Sequence, residues 1–176
     1  MYSIKDRLWF AYANLVATIA HWGQKRKWSN EPYINHPRRV AEQLKKIQAP
    51  PLAVVVALLH DVIEDTRLNY RWLAVLMGDK IAHHVYILSY IDERFPEDLA
   101  NRAEKKEWYF DEIRNFYYSW RWRNAILVKW FDMLDNQPSI KENDPNFYNN
   151  VWLKEFELFK SKASYYLTLW KLIPEE

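Results

Sequence analysis

The sequence predicts an all-α protein, and three observations lead there. Glycine is nearly absent, with only Gly23 and Gly78 in 176 residues, whereas an all-β sandwich needs many tight glycine turns. Apolar residues recur at helical spacing along most of the chain. Finally, 49% of residues are apolar and 27% charged, a balance that supports a packed core and argues against disorder. The same two isolated glycines exclude a P-loop or a Rossmann fingerprint, where several must cluster so that backbone can approach phosphate.

The first element is predicted from Ser3-Ile-Lys-Asp6, a capping pattern followed by an apolar stripe of Ile4, Leu8, Ala11, Leu15 and Ile19. This helix is expected to reach about His21 with its stripe toward the core. Leu8–Ala20 follows Lys5 and Arg7, as a signal peptide would, but Asn14 and Thr18 interrupt it and favour a core helix. Residues 22–36 hold Gly23, Pro32 and a Lys-Arg-Lys triplet, and read as a functional loop. Pro37 opens a short helix carrying Val40, Ala41 and Leu44. Pro50-Pro51 starts an apolar helix predicted to end near Ile63; its run Leu52–Leu59 is far short of the ~20 residues that span a bilayer.

Further helices are predicted over 70–78, 79–91, 101–120 and 122–136, the last stopped by Pro138. Asn143-Asp144-Pro145 marks a turn before a final helix over 147–172. No repeat or Gly/Ser linker interrupts the chain, so a single domain over 1–176 is expected. The 10 Trp, 12 Tyr and 8 Phe are mostly core at this spacing, with a few left to stack on a base.

The chain has no cysteine, which excludes disulfides and thiolate chemistry and suits a reducing compartment. The expected location is the cytoplasm, without a membrane. A net charge of +2 is too small for a nucleic-acid coat, so no DNA partner is expected. Residues 1–50 nevertheless carry nine Lys/Arg against three Asp/Glu. That basic quarter suits an anionic ligand or is simply a solvated face.

The chemistry concentrates in His60-Asp61-Val62-Ile63-Glu64-Asp65-Thr66. On a continuous helix His60 lies above Glu64 and Asp61 above Asp65. Three clustered acids need a compensating cation, and a divalent metal supplies one, taking nitrogen from His60 and oxygen from Asp61. The alternative is a helix end trailing into solvent, but acids at a helix C-terminus oppose its dipole. His36 and Asp132 are candidates for further ligands. Asp132 lies in an apolar helix, where a lone carboxylate is costly, with Lys129 and Asn136 on its side. On spacing alone both also fit ordinary polar residues, as do His21, His83 and His84, and the His83-His84 pair reads as solvated.

Three motifs then resemble one family. His21-Trp-Gly-Gln24, Arg26-Lys27 and Glu31-Pro-Tyr-Ile-Asn-His-Pro37 are similar to the opening motif of RelA/SpoT-type HD-domain hydrolases. Ala57-Leu-Leu-His-Asp-Val-Ile-Glu-Asp-Thr66 resembles their central motif, and Val128-Lys129-x-x-Asp132-x-x-x-Asn136 their third. The resemblance covers about residues 1–136. It implies an all-α HD-domain helical bundle holding one manganese ion on His36, His60, Asp61 and Asp132. It also implies a catalytic acid pair, Glu64 and Asp65, and nucleotide contacts from Arg26, Lys27 and Asn136. The implied reaction removes the 3′-pyrophosphate of guanosine tetra- and pentaphosphate, the alarmones of the stringent response. With 176 residues there is no room for a synthetase domain, so a stand-alone hydrolase is expected.

Two departures bear on the substrate. Trp28-Ser29-Asn30 stands between Lys27 and Glu31, where the family has Ser-Gly, and Phe131-Asp-Met-Leu-Asp-Asn136 replaces Ala-Asp-Arg-Leu-His-Asn. Another nucleotide or a pyrophosphorylated tRNA 3′ end therefore stays open as an alternative substrate. An inactive HD domain that senses a nucleotide or binds a partner is the non-enzymatic alternative. A pure binder would not need the acid pair.

Overall fold

The computed structural model describes residues 1–115 and 124–174. Among these there is no strand, only one isolated antiparallel bridge between Lys25 and Pro32, and the all-α prediction is borne out. The chain divides into two compact units, Met1–Ser89 and Tyr90–Glu176. No helix among the described residues is long and apolar enough to cross a membrane.

The first unit contains α1 (Ile4–Ala20), α2 (Asn35–Lys46), α3 (Pro51–Leu59), α4 (Val62–Asp65), α5 (Tyr70–Met77) and α6 (Asp79–Leu88). Its centre is α3, in which every residue from Ala53 to Leu59 is buried. Such an all-round apolar helix is stable only when surrounded, and α1, α2 and α6 pack against it. The capping box at Ser3 is present, with the hydroxyl and Asp6 each bonding the other's backbone N–H. α2 begins at Asn35, two residues before Pro37, so His36 lies in its first turn rather than at the end of the loop.

Two predictions about this unit are corrected. The stripe Ile4, Leu8, Leu15, Ile19 faces solvent, and α1 buries Phe10, Ala13, Val16 and Ala17 instead. Both faces of α1 are apolar, so its pattern alone does not choose between them. The helix expected to run to Ile63 breaks at His60-Asp61 and resumes as α4. Asp61 takes φ −96° and ψ −4° there, and Asp65 N–H bonds the Asp61 carbonyl at 2.8 Å.

The second unit holds a 3₁₀ turn (Asp92–Arg94), α7 (Arg102–Asn115), α8 (Asn124–Asn143), the short α9 (Pro145–Phe147), a π turn (Tyr148–Trp152) and α10 (Leu153–Leu169). The predicted helix ends over 116–120 and the start at 122–123 lie outside the described residues. α8 does not stop at Pro138 but carries it inside. Proline removes one ladder bond, yet the following turn is held by Asp144 N–H on the Ile140 carbonyl at 2.9 Å. Asp144 then caps α9 through the Phe147 N–H. Trp130, Phe156, Trp152 and Tyr148 stack in succession at 5.0–5.3 Å, with interplanar angles of 15–27°. The aromatic load is thus spent on packing here, as its helical spacing implied.

Candidate active site

The site is built where α3 gives way to α4. Nε2 of His60 there lies 3.2 Å from Oδ1 of Asp61. The first turn of α2 brings in His36, whose Nε2 is 3.6 Å from Oδ2 of the same carboxylate. The two imidazoles meet edge to face at 5.2 Å, with a ligating nitrogen of each within 4.8 Å of the other's. Both histidines are buried, and the Asp61 side chain is 14% exposed.

The second nitrogen of His60 fixes its tautomer. Nδ1 is 2.7 Å from the Ala57 carbonyl, and a carbonyl only accepts, so Nδ1 carries the hydrogen. In a neutral ring Nε2 is then a lone pair aimed at a carboxylate, an arrangement that calls for a cation or a proton between them. A histidine anchored by a backbone carbonyl is how metal-ligating imidazoles are commonly held. Two imidazole nitrogens around one carboxylate suit a divalent transition ion. The donor set of this unit therefore fits a metal.

Tyr33 ties the loop to the acids. Its hydroxyl is 2.9 Å from Oδ2 of Asp61 and also bonded to Oδ2 of Asp65. One phenol has a single proton to donate, so the two carboxylates it joins need a further positive charge. Burial, then the Asp61 and Asp65 charges, raise the Tyr33 hydroxyl far above its usual range, so it stays protonated. The Asp65 carboxyl is also raised, first by loss of water and then by the Asp61 charge, while Tyr33, His21 and His60 pull it down. Asp65 is exposed as a residue, so this desolvation concerns the carboxylate end turned in to Tyr33.

The tyrosine ring is itself held from both sides. His21 stacks on it at 4.7 Å and 17°, and the Arg26 guanidinium lies 5.4 Å from its centroid, within cation–π range. His21 is buried, with Nδ1 2.6 Å from Gln24 Oε1. The loop between α1 and α2 is pinned by the Arg26 N–H on the Glu31 carbonyl and the Tyr33 N–H on the Gln24 carbonyl. Neither Tyr33 nor His21 was singled out by spacing. The available signal was their place in the opening motif, inside a polar loop that has no core to serve.

The remaining candidates are placed as follows. Glu64 is exposed on α4. Lys27 turns its ammonium over Trp28, 4.6 Å from the ring centroid, so within this unit it is not gathered with the acids. In the second unit, Asp132 is buried on α8 and accepts from Lys129 Nζ at 2.8 Å and Asn136 Nδ2 at 2.7 Å. The one-sided cluster expected from the 129/132/136 spacing is present. His84 corrects the solvated reading of the His83-His84 pair: it is fully buried, with Nδ1 2.6 Å from the Lys80 carbonyl.

Comparison with known proteins supports the resemblance. Residues 13–159 match the family described as HD domain. The bifunctional (p)ppGpp synthase/hydrolase SpoT of Escherichia coli (strain K12) is 32% identical over 153 residues, which is 86% of this chain and 21% of that protein. A probable guanosine-3′,5′-bis(diphosphate) 3′-pyrophosphohydrolase of Mycoplasma pneumoniae is 29% identical over 120 residues, 68% of this chain and 16% of that one. The chain thus spans about a fifth of the length of such curated relatives. A solved structure described as a metazoan orthologue of SpoT that hydrolyses ppGpp superposes with a TM-score of 0.67 at 22% identity. It covers 98% of this chain and 99% of its own, and shares the fold. With most of its length matched and the His60-Asp61 pair at the centre of its site, this chain belongs to the HD domain family.

Proposed function

We propose that this protein is a metal-dependent phosphohydrolase that removes the 3′-pyrophosphate of guanosine tetra- and pentaphosphate, leaving GDP or GTP and pyrophosphate. The observation that carries this reading is the pair of buried imidazoles, His36 and His60, turned onto one carboxylate, Asp61. The relatives named for this hydrolysis support the substrate. His36, His60 and Asp61 would hold one divalent ion, manganese, with Asp132 as the fourth ligand by its place in the third motif. A divalent ion there would supply Lewis-acid charge to acidify water and neutralise the phosphate under attack.

The side chains around it do the rest. Glu64, exposed on α4, accepts a proton from the attacking water, and Asp65 orients that water from its bond with Tyr33. Arg26 and Lys27 hold anionic oxygens or stack on the base. Asn136, already bonded to Asp132, presents an amide suited to ribose or phosphate. The substrate is a small guanine nucleotide rather than DNA, and the compartment is the cytoplasm, which a chain without cysteine suits.

The test is a phosphate-release screen of the purified protein with manganese against guanosine tetraphosphate, nucleoside triphosphates and tRNA with a pyrophosphorylated 3′ end. Cleavage of the tetraphosphate to GDP and pyrophosphate is expected. No hydrolysis of any of them, with metal bound, leaves the sensing reading instead.

A further inference from the structure

The outward face of α1 is not used by the site or by the core. Ile4, Leu8, Ala11, Leu15 and Ile19 lie on one side of the helix at spacings of three and four, Trp22 follows in the turn after its cap, and all are exposed. The large ones are 53–85% exposed, and the run from Ile4 to Ile19 covers roughly 23 Å at 1.5 Å per residue. Beside it, Leu76 of α5 is 41% exposed and shares a groove with Tyr12, Leu15 and Ile19. At ~100 Å² for an aliphatic side chain and ~200 Å² for a tryptophan, the patch reaches on the order of 700 Å². A monomer's largest apolar patch is ordinarily ~300–600 Å², and ~800 Å² is what one partner brings to a standard interface.

We propose that this face is a homodimer interface, in which α1 packs antiparallel against α1 of a second copy about a two-fold axis. The order of side chains along the seam names that occupant. Run antiparallel about its middle, the seam sets Ile4 against Trp22, Leu8 beside Ile19, and small Ala11 against Leu15. Large thus meets small at the centre, where the helices must approach, as interdigitating packing requires.

Charge selects the direction. Lys5 and Arg7 are exposed in the first turns of α1, where they oppose the dipole of their own helix. The last turn of α1 carries no basic residue. Antiparallel pairing sets Lys5 and Arg7 beside the electronegative end of the second copy's α1, whereas parallel pairing stacks like charges on each other. A groove of about 540 Å³, walled by Tyr12, Leu15 and Ile19 of α1 with Leu68 and Leu76, lies next to Ile19. It offers a hole for the second copy's Leu8. Thr66 and Arg67, which also line it, directly follow Asp65.

Sedimentation equilibrium of the full chain over a wide concentration range tests this. A dimer is expected. Leu15→Glu, at an exposed position, is expected to raise its dissociation constant by about 100-fold or more, the scale of losing a central apolar anchor. Helix content by circular dichroism stays at the wild-type value. The chain has no cysteine, so single-cysteine variants report the direction. Ile4→Cys mixed with Trp22→Cys forms an intermolecular disulfide on oxidation, and neither does so alone. A wild-type monomer throughout, a dimer indifferent to Leu15→Glu, or cross-linking of Ile4→Cys with itself overturns the proposal. In the first case the face belongs to another kind of partner.

Discussion

Nε2 of His60 faces Oδ1 of Asp61 at 3.2 Å, while Nδ1 of the same ring already donates to the Ala57 carbonyl. A lone pair and a carboxylate so disposed are stabilised by a cation shared between them. His60→Ala and Asp61→Ala are therefore expected to lose bound metal while helix content stays nearly unchanged, since neither side chain belongs to the apolar packing of α3. Elemental analysis of protein produced with added manganese decides it. Equal metal content in wild type and both variants removes the site.

The Tyr33 hydroxyl bonds both Asp61 and Asp65. Tyr33→Phe keeps the ring against His21 and Arg26 but leaves both carboxylates without that donor. Groups that orient a metal ligand typically matter by 10–100-fold, so metal affinity and turnover should each fall by about that much. Thermal stability should barely change, because the stacked ring remains. Metal titration beside a melting curve separates the two. A large drop in melting temperature with unaltered metal affinity makes Tyr33 a packing residue only.

The fold was legible where periodicity was unambiguous and failed where two readings shared one pattern. α1 is apolar on two faces, and the stripe of larger residues looked like the core side. The structure buries Phe10, Ala13, Val16 and Ala17 instead, while α1 packs on α3. The break at His60-Asp61 left no mark in the sequence, which runs on without glycine or proline. Hence His60, Asp61 and His36 were legible as candidates, but not that α3 ends where His60 and Asp61 stand. Pro138 misled in the other direction, since a helix anchored beyond it tolerates the lost bond. Tyr33 lies within the opening motif, but a tyrosine in a loop carries no spacing signal that marks its role.

His84 on α6 is fully buried, and its imidazole is held down to about 4, chiefly by burial. The Lys80 carbonyl bond opposes that shift, while the charges of Lys80 and His83 add to it. With a folded pKa below the unfolded value of 6.5, the unfolded chain takes up the proton first. The stabilisation is thus complete above pH ~6.5 and is lost as pH falls toward ~4, about 2 kcal/mol of it by pH 5. Urea unfolding at pH 7.5 and 5 is expected to show this loss in wild type and a smaller one in His84→Leu. Identical pH slopes in both exclude His84 as the source.

Glu64 separates catalysis from binding. It is exposed on α4, so Glu64→Gln, which keeps size and polarity, should leave fold and metal content intact. Removing the proton acceptor should lower turnover by about 100-fold or more. Near wild-type turnover in this variant assigns the base to another group.

The substrate follows from how binding responds to salt and to Arg26. Arg26 lies over Tyr33, next to the bonded Asp61 and Asp65, and Lys27 is turned onto Trp28 of the loop. For a small nucleotide, one well-placed guanidinium matters most, so Arg26→Ala should raise KM strongly with little change in kcat. An RNA end engages many phosphates, so affinity then depends on several of the dispersed Lys/Arg of residues 1–50 and falls steeply with salt as counterions are released. A salt series run with guanosine tetraphosphate and with 3′-pyrophosphorylated tRNA distinguishes them. The expected result is cleavage of the tetraphosphate with a shallow salt dependence and a KM defect in Arg26→Ala. Steep salt sensitivity on tRNA with no alarmone cleavage transfers the same metal chemistry to an RNA substrate.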